Sequence, residues 1–230
     1  MERTLNQETY DRFKKDIMTF ACKPGEPVSA AKLADRYHVS RTPAREALVK
    51  LKAEGLVDIF PQSKSVISRI NVHRARQEWF VRRTLELGMV DRFFDKVSDP
   101  DISLMQDYNH EMNLLRAQPK THESAYRYLM CDNDFHAVSY MAAGERLAAE
   151  IISNTMVHYN RIRLLVDLES AFRERTVSVH EQLIEYVKQR DKESYRGLLK
   201  RHLDYVLDDI GTMEKLYPDY FEMQKSSDNG

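Results

Sequence analysis

"YHVSRTPAREALVKL", Tyr37 to Leu51, decides how the first part of this chain is read. A short polar turn leads from Tyr37 to Ser40, and Ala44, Ala47, Leu48 and Leu51 then recur at helical spacing as one apolar stripe. Ser40 or Thr42 can cap such a helix. Pro43 is tolerated in its first turn, where the backbone amides have no intrahelical partner. The stripe leaves Arg41 and Arg45, four residues apart, along the exposed edge of the helix start. A planar guanidinium placed there can grip a guanine edge or a phosphate.

The flanks complete the pattern. Upstream, Glu8 to Ala21 reads as a helix stopped by the turn "KPGEPVS", and Ser29 is placed to cap a short helix from Ala30 to Tyr37 with Leu33 and Ala34 inward. Downstream, "GLVDIFPQSKSVISRI" holds two short β-branched runs around a polar turn, the pattern of a small hairpin or wing. Helix, short helix, tight turn, helix and hairpin is the order of a winged helix-turn-helix, whose second motif helix enters the DNA major groove by its N-terminus. Charge points the same way. Residues 1–70 carry 13 Lys/Arg against 9 Asp/Glu, whereas residues 71–230 carry 22 against 27. The first part is therefore the one suited to a polyanion.

Composition bounds the rest. Seven glycines and seven prolines in 230 residues, with abundant Leu, Ala, Glu, Lys and Arg, favour helix over sheet. Cys22 and Cys131 form neither a disulfide framework nor a CxxC site, so a reducing, cytoplasmic setting is expected. No secretory leader pattern and no apolar run of 18 residues occurs, so no membrane partner is expected. Six amphipathic segments follow residue 70: about 74–96, 101–117, 122–142, 146–166, 170–189 and 192–213. The expected architecture is mainly α: a winged helix-turn-helix over residues 1–70 and an antiparallel helical bundle over 71–230.

Spacing also suggests a metal site within that bundle. Asp132 and His136 stand at i and i+4 and share one helix face. His180 and His202 are each eleven residues from residue 191, at the proposed turn, roughly 16 Å along each helix, so antiparallel packing sets them level. Three imidazoles and one carboxylate suit a divalent transition metal such as zinc, nickel or manganese. His38, His73, His110, His122 and His158 read as ordinary surface or core histidines.

Two resemblances bear on these readings. "AAKLADRYHVSRTPAREALVKLKAEGLVDI" closely resembles the DNA-binding domain of the GntR family of bacterial transcription regulators, in a likeness covering residues 8 to about 70. The resemblance implies that Arg41 and Arg45 contact operator DNA, with Ser40 and Thr42 beside them, and that the wing tip reaches the adjacent minor groove. The chain departs from the family at that tip, where Gln62, Ser63 and Lys64 stand in place of a basic residue followed by glycine; Lys64 is the remaining candidate contact. In the second part, "DxxxH" at Asp132, "HxxLIEYV" at His180 and "RHL" at His202 resemble the metal-binding pattern of the FCD domain in the FadR branch of that family. That resemblance implies a small organic or sugar acid as effector, bound at the ion. Arg82, in "FVRRTLELG", matches an RxxLE arginine of the family and is the candidate anion contact, with Arg161 and Arg163 as second choices.

The resulting expectation is a homodimeric regulator, of repressor type, that reads a pseudopalindromic double-stranded operator and responds to a small carboxylate. Whether the acid releases or strengthens the DNA contact is left open. Two alternatives remain: a metal-dependent enzyme acting on a small acid, and a regulator whose metal is purely structural.

Overall fold

The computed structural model describes residues 4–60, 65–169 and 172–223. The chain forms two compact units, one comprising residues up to 73 with those from Thr212 onward, the other Arg74–Gly211.

In the first unit α1 spans Leu5–Met18, α2 Ala30–Tyr37 and α3 Arg41–Ala53. The α1 helix begins and ends three residues earlier than the periodicity suggested. Thr4 caps it by accepting from the Gln7 amide, and beyond the Thr19 cap the chain turns left-handed at Phe20, with φ 56°. Ser29 caps α2 through the Lys32 amide, and His38, also left-handed, ends it. Phe13, Ile17, Leu33, Tyr37, Ala44, Ala47, Leu48 and Leu51 make the core beneath these helices. Gly55 takes a φ of 80° where the chain leaves α3, a turn that favours a residue without Cβ.

The sheet has three strands rather than a hairpin alone. β1 (Pro27–Val28), β2 (Val57–Asp58) and β3 (Ser65–Ile67) lie in the order β1-β3-β2, both pairs antiparallel. Pro27, read from the sequence only as a breaker, sits on an edge strand, where a missing N–H is tolerated. The wing tip, with Gln62, Ser63 and Lys64, lies outside the described residues. Further along, Ile70 bridges to Phe221 in parallel, its amide donating to the Tyr220 carbonyl.

The second unit is a helical bundle built from α4 (Val72–Gly88), α5 (Val90–Lys96), α6 (Asp99–Arg116), α7 (His122–Ala143), α8 (Arg146–Thr155), α9 (Val157–Glu169), α10 (Phe172–Lys188) and α11 (Lys192–Leu216). Two segments expected as single helices are divided. The first breaks at Met89, after Gly88, a weak helix former. The second breaks at Met156, because the buried Glu78 side chain reaches from α4 to accept the Tyr159 amide at 2.8 Å and so starts α9 afresh.

Capping boxes at Ser98/Asp101 and Thr121/Ser124 begin α6 and α7. Gly144, at φ 78°, ends α7. The α7 helix has buried residues on every side, as befits a helix at the centre of a bundle, and it packs against α5, α6, α8 and α9. Phe93, Met105, Phe135, Val138, Leu183, Tyr195 and Leu199 form the core around it.

Candidate metal centre and DNA-reading helix

The start of α3 presents the residues that the sequence singled out. Ser40, Arg41, Thr42 and Arg45 are exposed, while Pro43, Ala44, Ala47 and Leu48 turn inward. Ser40 occupies the cap position in extended geometry, but its hydroxyl makes no capping bond. This edge is thus a row of exposed polar and basic side chains on a helix anchored from behind by α1 and α2.

In the helical unit, Asp132 and His136 project from α7, His180 from α10 and His202 from α11. One ligand atom from each lies within 4.8 Å of all the others, and all four side chains are buried. His202 Nε2 is 3.2 Å from both His136 Nε2 and His180 Nε2. Asp132 Oδ1 faces His180 Nε2 at 3.7 Å and has no hydrogen-bond partner among the described residues. Two nitrogens each about 2.0–2.1 Å from a shared tetrahedral ion stand roughly 3.3 Å apart, so these separations fit a common ion. The orphaned carboxylate oxygen fits as well, since burying it otherwise has a cost.

Protonation favours the same role. Burial first, then the neighbouring His136, lowers His202 to about 3, and burial with His202 nearby lowers His180 well below its ordinary value. Both rings are therefore neutral near pH 7, the form that binds a metal. Burial alone would raise the Asp132 carboxyl, but Arg163, His136, His180 and Arg82 together hold it far below the usual carboxylate range.

A shell of charged partners surrounds the four. Arg163 donates to Asp132, and also to Asn133 at 2.7 Å and Asn160 at 3.0 Å. Arg82 donates through Nε to Glu86 at 2.7 Å and stands 3.6 Å from Asp132. Glu86 lies 2.8 Å from His136 Nδ1; burial would raise its carboxyl, but His136 and Arg82 lower it to about 2. Two guanidiniums lie over the Tyr159 ring, Arg82 at 5.7 Å and Arg163 at 5.5 Å from its centroid.

A small cavity opens beside Asp132 and His202, walled by Arg82, Tyr159, Arg163, Leu203 and Val206. Its volume, about 10 Å³, is room for roughly one water. Of the three arginines singled out in the sequence, Arg82 and Arg163 line this cavity; Arg161 is buried but does not line it. Sequence reasoning missed Glu86, Tyr159, Asn133 and Asn160. Glu86, four residues after Arg82, and Asn160, three before Arg163, each carried a local signal on one helix face.

Comparison with known proteins agrees with both halves. Residues 5–67 match the bacterial regulatory proteins of the gntR family, and residues 79–205 match the FCD domain. The HTH-type transcriptional repressor RspR of Escherichia coli K12 is 23% identical over 94% of this chain and 93% of its own length. An HTH-type transcriptional regulator from an unstable DNA locus of Streptomyces ambofaciens is 28% identical over 95% of this chain and 90% of its own. The solved structure of E. coli McbR/YncC superposes with a TM-score of 0.72 at 18% identity, covering 94% of this chain and all of that one, and so shares its fold. Among the described residues no helix is long and apolar enough to cross a membrane. The chain belongs to the GntR family of bacterial DNA-binding transcription regulators, with an FCD domain as its helical unit.

Proposed function

We propose that this regulator is a homodimer whose operator affinity is set by a small organic acid bound at a divalent ion in the helical unit. Asp132, His136, His180 and His202 would hold the ion, which supplies a Lewis-acidic position for a carboxylate oxygen. The observation that carries the reading is the convergence of those four buried donors beside a cavity walled by two guanidiniums. Arg82 and Arg163 would pair with the acid, and Ser40, Arg41, Thr42 and Arg45 would contact the operator, with Lys64 at the wing.

The size of the cavity supplies a mechanism. Space for about one water cannot take an organic or sugar acid, so the acid would favour an arrangement in which the side chains walling the cavity, Arg82, Tyr159 and Arg163 among them, stand further apart. An effector that binds only that arrangement shifts the population towards it, and the two reading heads of a dimer respond together. A purely structural ion would place no demand on the cavity, whereas the paired arginines facing it favour an anion.

Thermal unfolding of zinc-loaded protein across a panel of short monocarboxylic, dicarboxylic and sugar acids tests the reading. At least one acid should raise the melting temperature, and Arg163→Lys, which keeps charge but loses the planar fork, should weaken that shift. No shift with any acid class would reject effector control by a carboxylate.

A further inference from the structure

The three imidazoles of the cluster are not held alike. His136 is fixed from behind: Glu86 Oε2 lies 2.8 Å from its Nδ1, while Glu86 Oε1 accepts from Arg82 Nε at 2.7 Å. Both Glu86 and His136 are buried, so water does not compete for this contact. A carboxylate oxygen accepts only, so His136 Nδ1 carries a proton and donates it to Glu86, which leaves Nε2, 3.2 Å from His202 Nε2, as the ligating atom. His180 and His202 have no such hold. Their Nδ1 atoms are buried and unpartnered among the described residues, and His180 is kept in place by stacking on Phe135, centroids 3.8 Å apart and planes 3° apart.

We infer that Glu86 is a positioning residue for the metal: through Nδ1 it fixes the tautomer and ring plane of His136 and strengthens Nε2 as a donor. The inference rests on the metal reading above and goes beyond it. Hydrogen-bonded partners behind a ligating histidine commonly govern metal affinity by 10–100-fold. Here that control falls on one imidazole of three, so a single carboxylate outside the ligand set determines how well His136 serves as a ligand. Glu86 also turns the guanidinium of Arg82, so that Nη2 points to Asp132 at 3.6 Å. One carboxylate thus orients a metal ligand and a wall of the cavity.

The test is zinc affinity, measured by competition with a chromophoric chelator on stripped wild-type, Glu86→Gln and Glu86→Asp proteins. Glu86→Gln keeps size but loses charge, and its amide cannot accept from both His136 and Arg82. Its dissociation constant for zinc should rise about 10–100-fold, with Glu86→Asp in between. Long-range proton–nitrogen NMR of stripped wild-type protein should show His136 protonated at Nδ1, a signature that bulk destabilisation does not create and that stands even if Glu86→Gln fails to fold. A wild type that takes up no zinc removes the metal reading and this inference with it. Zinc bound normally by wild type, with Glu86→Gln within twofold of it or with His136 protonated at Nε2, overturns the role of Glu86 alone.

Discussion

His180 and His202 are 22 residues apart in the chain, yet their Nε2 atoms stand 3.2 Å apart. The turn between α10 and α11, where Arg190 adopts a φ of 57°, sets the two rings level. If that meeting serves an ion, metal analysis of untagged protein should find close to one divalent ion per chain. Asp132→Ala, His136→Ala, His180→Ala and His202→Ala should each lower the occupancy, and the exposed His110→Ala should not. Protein that stays metal-free under zinc, nickel and manganese supplementation would end the metal account.

Arg41 and Arg45 are exposed on a helix whose opposite face is buried, so their loss should alter DNA contact and leave the fold intact. Each alanine variant should lose about 1–3 kcal/mol of operator binding, with weaker discrimination at the base touched. Fluorescence anisotropy on an operator selected from random DNA measures this. Wild-type affinity in both variants would remove the reading edge from the start of α3.

The α3 helix was legible in the sequence because its signals are local: a 3.6-residue apolar period, a serine at the cap position and a proline confined to the first turn. The approach of His180 to His202 was legible for a related reason, since equal distances from one turn need no knowledge of the rest of the bundle. What escaped depends on partners far off in the chain. Glu86 meets His136 across 50 residues, and Glu78 starts α9 from a position 81 residues before Tyr159. Strand β1 exists only because β3 lies beside it. A single sequence carries periodicity and caps, but not which buried carboxylate will find which distant amide or ring.

Arg173 is a second test of buried charge, outside the cluster. It grips Asp167 with two bonds, at 2.7 and 2.6 Å, and donates to the Leu115 carbonyl and the Ser124 hydroxyl, all buried. Arg173→Met strands the Asp167 carboxylate and should cost about 3–5 kcal/mol in urea unfolding. Arg175→Ala, which removes a half-exposed partner 3.8 Å from Asp209, should cost about 1 kcal/mol or less. Equal losses in the two variants would contradict the contrast.

His158 gives a dependence on pH. Burial first, then the positive charges of Arg161 and Arg74, lower it from 6.5 to about 3. Between those values the unfolded chain takes a proton that the folded chain refuses, so stability is full above about pH 6.5 and falls as the pH drops towards 3. From pH 7 to 5 this one ring should remove about 2 kcal/mol. His158→Gln should reduce the slope of unfolding free energy against pH over that interval by the share of one ring, His180 and His202 keeping theirs. The same slope in variant and wild type would show that His158 titrates normally in the folded chain.

Control of operator affinity by an acid at a metal site is tested most directly by one titration. Operator binding is followed at rising concentrations of whichever panel acid stabilises the protein, for zinc-loaded wild type, zinc-stripped wild type, Arg82→Lys and Arg83→Ala. Arg83 serves as the control because it bonds Asp204 at 2.8 Å and lies outside the cavity. The acid should change operator affinity in loaded wild type and in Arg83→Ala, Arg82→Lys should need about tenfold more acid, and stripped protein should not respond. A response of equal size and midpoint in stripped protein would contradict control through the metal site.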